Sequence, residues 1–244
     1  MLGGTTEATK LAVALAERGM DAIFSYAGRT GNPARQPLPV RIGGFGGAEG
    51  LAAYLKAEAI THVVDATHPF AAAISANAVS ACERAGVAMA ALERPEWQAG
   101  RGDSWTCVAD IAGAVAALPD AGARVFLAIG KQHIAAFAVK PGNFYLLRLV
   151  DAPEAALPLP DAHAVIARGP FDVAGDTALM QAHRISHVVA KNSGGAGAEA
   201  KITTARALGL PVIMIDRPVR PKRRVLDSVE AVLDWLDHGA DRGV

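Results

Sequence analysis

The chain has 244 residues with 24 lysines and arginines against 24 aspartates and glutamates, so no net field draws it to nucleic acid or an anionic membrane, and any anion site must be local. Hydrophobic residues reach 51%, largely through alanine, yet no apolar run approaches the roughly 20 residues that cross a bilayer, and the start lacks the basic and apolar regions of a secretory signal. Cys82 and Cys107 lie far apart without metal-type spacing, which points to buried thiols in a reducing cytoplasm and to no bound metal.

Short β-branched runs alternate with alanine-rich stretches along the whole chain. In order, the pattern predicts strands at 22–26, 62–66, 87–92, 124–129, 144–150, 163–167, 187–191 and 211–215. Helices are predicted at 7–18, 49–56, 71–85, 172–183 and 198–208, several of them stopping at a glycine (Gly19, Gly86, Gly209). Only two residues precede Gly3, so a first strand there is very short. Strands alternating with helices indicate parallel sheets joined by crossover helices.

The pattern also repeats. Ile60-Thr61-His62-Val63-Val64 returns as Ile185-Ser186-His187-Val188-Val189, and Leu92-Glu93-Arg94-Pro95 as Ile215-Asp216-Arg217-Pro218, shifts of 125 and 123 positions. Such a long period predicts an α/β fold of two similar Rossmann-like units with parallel sheets and an interdomain cleft. The first domain is expected at 1–96 and the second at 124–244 with a C-terminal helix, joined by a linker at 97–123 that carries an appended strand and helix. Val108-Ala109-Asp110 opens that appended helix and is echoed by Val225-Leu226-Asp227 before the last one. The sequence leaves open which unit each packs on, because a crossover could exchange them.

In the first half, Leu2-Gly3-Gly4-Thr5-Thr6-Glu7-Ala8 joins a strand to a helix. Its glycines permit a tight turn that aims helix N–H groups at a phosphate, although they would equally serve a plain turn. Thr5 and Thr6 suit capping and Glu7 suits the first turn. The second strand ends Ser25-Tyr26-Ala27-Gly28-Arg29-Thr30, where doubly wound folds read the adenosine ribose. With no acid there, Arg29 flanked by Ser25 and Thr30 favours a 2′-phosphate and hence NADPH over NADH, the alternative being a solvated loop arginine. Asp65-Ala66-Thr67-His68-Pro69 ends another strand; His68 or Asp65 could move a proton there, and either could instead be a capping or packing residue. The Gly43-Gly44-Phe45-Gly46-Gly47 loop offers bare backbone near a planar ligand, or a simple connection.

In the second half the equivalent strand ends carry Lys131, Arg148, Arg168 and Lys191. Four cations at one sheet edge suit a ligand with several carboxylates or phosphates, against the alternative of separate solvated charges. Lys191-Asn192-Ser193-Gly194-Gly195, with Lys201 in the following helix, makes a second glycine-rich anion cradle.

Leu2 to Ala8, Asp65 to Ala71 and Lys191 to Gly195 with Lys201, in this order and at these separations, resemble the precorrin-6A reductases of the cobalamin pathway over essentially the whole chain. The resemblance implies an NADPH-dependent oxidoreductase that delivers hydride to a carboxylate-rich tetrapyrrole, reducing a macrocyclic double bond of precorrin-6A to give precorrin-6B. The family also includes reductases of the cobalt-bearing intermediate of the anaerobic route, and a two-domain lyase or cyclase similar to uroporphyrinogen III synthase is the rival enzyme class. On this reading Gly3 to Glu7, Ser25, Gly28, Arg29, Thr30, Gly44, Thr67 and His68 face the cofactor. Lys131, Arg148, Arg168, Lys191 to Gly195 and Lys201 face the substrate. Nothing in the chain points beyond a monomer.

Overall fold

A computed structural model of the chain describes residues 1–28, 34–153, 155–167, 169 and 171–240. Two compact units emerge: one from Met1–Pro95 with Val219–Val244, the other from Glu96–Pro218.

The first unit centres on Leu2, which bridges in parallel to Ser25 and to Asp65. Its N–H donates to the Val64 carbonyl at 2.8 Å, and its carbonyl accepts from Ala66 N–H at 2.9 Å. On one side lie β1 (Phe24–Tyr26) and β2 (Val40–Ile42); on the other lie β3 (His62–Asp65), β4 (Ala88–Leu92) and β11 (Arg224–Leu226). All pairings are parallel. Counted from Leu2 outward, the order is 3-2-1-4-5-6 of a doubly wound nucleotide-binding sheet.

Helices cover both faces, as a parallel sheet requires. On one face α1 (Thr6–Glu17) and α7 (Val229–Ala240) bury Leu11, Leu15, Val232 and Leu233 with Phe24. On the other, α2 (Gly47–Ala57) and α3 (Ala72–Ala85) bury Leu51, Leu55, Ala78 and Ala81 with Leu2 and Val63.

The second unit repeats this plan in the order β8 (Ala162–Ile166), β7 (Gly142–Leu149), β6 (Ala121–Ala128), β9 (His187–Lys191), β10 (Pro211–Ile215) and β5 (Ser104–Val108), again all parallel. Phe126, Leu146, Val188, Met214 and Ile202 form its core with Trp97. The helices α4 (Ile111–Ala117), α5 (Val173–Ala182) and α6 (Ala200–Ala207) belong to this unit, while a 3-10 helix at Lys131–Val139 stands between β6 and β7.

The sixth strands are therefore exchanged. β5 precedes the second unit's first strand in the chain yet forms that unit's edge on β10, and β11 follows the second unit yet forms the first unit's edge on β4. This corrects the expected boundaries: 219–244 belongs to the first unit rather than to a 124–244 domain, and 97–123 is part of the second rather than a linker. Main-chain pairing decides it. Glu93 N–H donates to the Leu226 carbonyl at 2.8 Å, and its repeat counterpart Asp216 donates to the Val108 carbonyl at 2.9 Å.

In the first unit the returning segment is also held by charge. The Glu93 carboxylate accepts from Arg220 and, at 2.8 Å, from Arg223. Both arginine side chains are at most 10% exposed, so removing the acid strands two desolvated cations. Glu93→Ala is expected to cost about 3–5 kcal/mol in chemical denaturation; a loss under about 1 kcal/mol would mean the cluster behaves like a surface pair.

Candidate functional site

The turn after Leu2 is shaped by what Gly3 lacks. A Cβ there would stand 2.1 Å from Cζ of the buried Phe24 ring, so no other residue fits. Gly4 follows at φ +137°, a conformation that favours glycine. Thr5 caps α1: its hydroxyl oxygen accepts from Ala8 N–H at 3.1 Å and donates to the Ala66 carbonyl at 2.9 Å, tying the turn to the end of β3. Glu7, expected at the cofactor, instead accepts from Arg94 at 2.6 Å. Its charge is thus matched within the unit, and the positive end of α1 is kept for another anion.

Beside this turn, at the carboxyl ends of the strands, lies a cavity of about 160 Å³. Gly3, Ser25, Gly44 and Thr67 of the expected cofactor residues line it. Gly4, Thr5, Thr6 and Gly28 lie outside its lining, although a Cβ on Gly28 would come within 3.5 Å of Gly43 Cα. Arg29 and Thr30 fall outside the described residues. The remaining lining is mostly apolar, including Ala27, Phe45 and Ile74, with Asn77 adding one amide.

Asp65 supports this site from beneath. It is buried; one oxygen accepts from Thr67 N–H at 3.1 Å and Thr67 Oγ1 at 2.6 Å, the other from Ser75 Oγ at 2.6 Å. With both oxygens engaged and only 3% of its surface exposed, it fixes the Thr67 turn. His68 is exposed, and its Nδ1 accepts from Phe70 N–H at 3.2 Å. The neutral ring therefore carries its proton on Nε2.

In the second unit the expected cationic rim divides. Arg148 pairs with buried Asp176 and sits 3.9 Å over the Phe171 ring. Lys201 is buried, donates to the Ala198 carbonyl and lies 4.7 Å over Trp97. Both are thus engaged within the unit. Asn192 is likewise structural: its amide accepts from Trp97 N–H at 2.9 Å and donates to the Trp97 carbonyl at 3.1 Å. Ser193 is buried with its carbonyl accepting from Arg217 at 3.3 Å, and Gly195 accepts from Trp97 Nε1 at 3.2 Å beside Gly194 at φ +66°. Arg168 lies outside the described residues.

Lys131 remains exposed at the start of the 3-10 helix, and Lys191 is half-buried at the end of β9. Burial holds the Lys191 ammonium below the usual lysine value. His133, which the sequence did not single out, is pushed down by burial and then by the charge of Lys191. Because β6 pairs with β9 through Ala128 and Ala190, these groups flank adjacent strand ends. Among the described residues no three histidine, cysteine or acidic side chains are grouped to hold a metal, and no helix is long and apolar enough to cross a membrane.

A family model described as Precorrin-6x reductase CbiJ/CobK matches residues 1–237. The chain is 64% identical to a precorrin-6A reductase of Rhodobacter capsulatus over 246 residues, covering 100% of this chain and 98% of that one. It is 48% identical to a precorrin-6A reductase of Rhodococcus erythropolis, covering 97% and 96%. A solved structure titled CobK precorrin-6A reductase superposes with a TM-score of 0.95 at 63% identity, covering 100% and 98% of the two chains.

The tight seat of Gly3 gives a direct test of the turn. Gly3→Ala drives a methyl into the Phe24 ring and is expected to destabilise the protein by about 1–3 kcal/mol. Thermal unfolding that does not shift would contradict this packing.

Proposed function

Because the chain belongs to the precorrin-6A reductase family of cobalamin biosynthesis, a family of oxidoreductases, we propose that it uses NADPH to reduce a macrocyclic double bond of metal-free precorrin-6A, giving precorrin-6B. The observation that carries the cofactor assignment is the first unit's cavity, set at the carboxyl ends of a 3-2-1-4-5-6 sheet beside a glycine turn and the N-terminus of α1. The donor set fits a dinucleotide: main-chain N–H groups for the pyrophosphate, bare glycines where a ring or ribose approaches, and few polar side chains.

When bound, the nicotinamide supplies the hydride. The chain's part is to bind and orient. The turn from Gly3 to Thr6 takes the pyrophosphate, with Thr5 locking it to Ala66. Arg29, by its place after β1, takes the 2′-phosphate together with Ser25 and Thr30. Thr67, held by Asp65, lies on the nicotinamide side. His68, with its proton on Nε2, is the group of this turn suited to pass a proton.

In the second unit Lys131 and Lys191, which flank the adjacent ends of β6 and β9, hold substrate carboxylates. Metal-free precorrin-6A is favoured over the cobalt-bearing form by the names of the two relatives above. Family membership also sets aside the lyase or cyclase reading.

The primary test mixes the protein with NADPH and metal-free precorrin-6A. Loss of the reduced-nicotinamide absorbance and a substrate two hydrogens heavier are expected; turnover with NADH alone, or only with the cobalt-bearing substrate, would overturn the corresponding part. Arg29→Ala should then weaken NADPH binding while leaving NADH binding unaltered. Lys191 adds a pH signature. Its pKa lies below that of an exposed lysine, and carboxylate binding needs the charged form. Affinity for precorrin-6A should therefore be full below the lowered pKa and decline as pH rises through it, before ordinary lysines titrate. In Lys191→Arg that early decline should vanish; an unchanged pH profile of KM would remove Lys191 from the substrate site.

A further inference from the structure

The loop from Gly43 to Gly47 walls the first unit's cavity with Gly43, Gly44, Phe45 and Gly47. Three of its four glycines adopt left-handed or otherwise glycine-favouring backbone, with φ of +124° at Gly43, +79° at Gly46 and +85° at Gly47. Left alone, such a loop samples many conformations and would lose much entropy on closing around a ligand.

One side chain binds it together. Arg41, in β2, donates through Nη1 to the Gly43 carbonyl at 2.5 Å and through Nη2 to the Gly44 carbonyl at 2.8 Å. The same guanidinium lies 3.6 Å over the Phe45 ring and 5.3 Å over Tyr54. Phe45 is held from two further directions. Tyr54 packs against it at 5.1 Å between ring centroids, and its carbonyl sits 1.7 Å from where a Cβ on Gly50 would stand. Behind the loop everything is close; on Gly43 and Gly44 a Cβ would meet nothing within 4 Å.

The chemistry of the cavity indicates what this wall receives. Among the described residues its lining carries no charged side chain, and on the β1–β2 side, across Leu2 from Thr67, it offers the face of the glycine loop, Phe45, Ala27 and the hydroxyl of Ser25. Such a lining suits a neutral planar ring rather than a phosphate. Ser25 and Ala27 stand at the end of the strand where the adenosine ribose is read.

We propose that Arg41 is a positioning residue for the adenine ring of the cofactor: it preorganises Gly43 and Gly44 and orients Phe45, so that the ring meets a prepared wall. This rests on the NADPH assignment made above. Arg41 does not line the cavity and acts through the loop, so its removal should weaken binding of the adenosine half without slowing the chemical step.

The test compares the full-length protein with Arg41→Met and Arg41→Lys. Adenosine 2′,5′-bisphosphate, which has the adenine and 2′-phosphate but no nicotinamide, is titrated calorimetrically, and KM and kcat for NADPH are measured with the denaturation midpoint. Arg41→Met is expected to raise the Kd for the bisphosphate and the KM for NADPH by roughly tenfold, with kcat retained at saturating cofactor. Arg41→Lys, which keeps a cation over Phe45 but not the two-pronged donor, should fall between. A Kd and KM within about twofold of the unaltered protein, or a drop in kcat with KM unmoved, would overturn the inference while leaving the cofactor assignment standing. An unaltered protein that binds neither NADPH nor the bisphosphate would instead refute the assignment and this inference with it.

Discussion

The carboxylate of Glu93, shared by Arg220 and Arg223, holds the chain's last strand on a sheet begun more than a hundred residues earlier. On that attachment depends the sixth position of the first unit's sheet and, through it, the seat of α7 against α1. Two half-buried cations and one half-buried acid would be a costly arrangement if any member were unmatched. Here the acid meets both cations with separate oxygens. The edge of β4 is closed, and Val232 and Leu233 complete the core around Phe24.

The repeated segments Leu92 to Pro95 and Ile215 to Pro218 mark the two places where the chain passes from one unit to the other. Each arginine in them reaches back into its own unit. Arg94 neutralises Glu7 in the first turn of α1, and Arg217 donates to the carbonyls of Asn192 and Ser193. One repeated device therefore braces the first turn of α1 in one copy and the glycine loop after β9 in the other. The hydrogen bonds from Glu93 and Asp216 to the exchanged strands share the same symmetry.

Much of this was legible from the sequence because it is periodic. The long β-branched runs, the glycine-stopped helices and the internal repeat led to two parallel α/β units, and the echo of Val108 in Val225 exposed the possibility of exchange. β2 is hidden because three residues, two of them exposed, preceded by a proline, followed by glycines and holding an arginine, carry no strand pattern. The contacts of the cationic residues are hidden for a different reason. A charge is visible in a sequence, but its partner is not: Asp176 stands 28 residues from Arg148, and Trp97 more than a hundred from Lys201. The supporting role of Asp65 is hidden similarly, because Ser75 reaches its second oxygen from the next helix. Arg41 and Phe45 had one available signal, an aromatic bracketed by two glycine pairs just beyond a cation.

The strand exchange also sets a timetable for biogenesis. As the chain leaves the ribosome, β4 emerges with its outer edge bare, and that edge stays bare while all of Glu96–Pro218 is translated. The other unit can finish first, since β5 precedes β6 and every strand it needs lies within one continuous stretch. The unit that starts synthesis is thus the last to mature, and a stalled or truncated nascent chain presents an open parallel edge on which misassembly can begin.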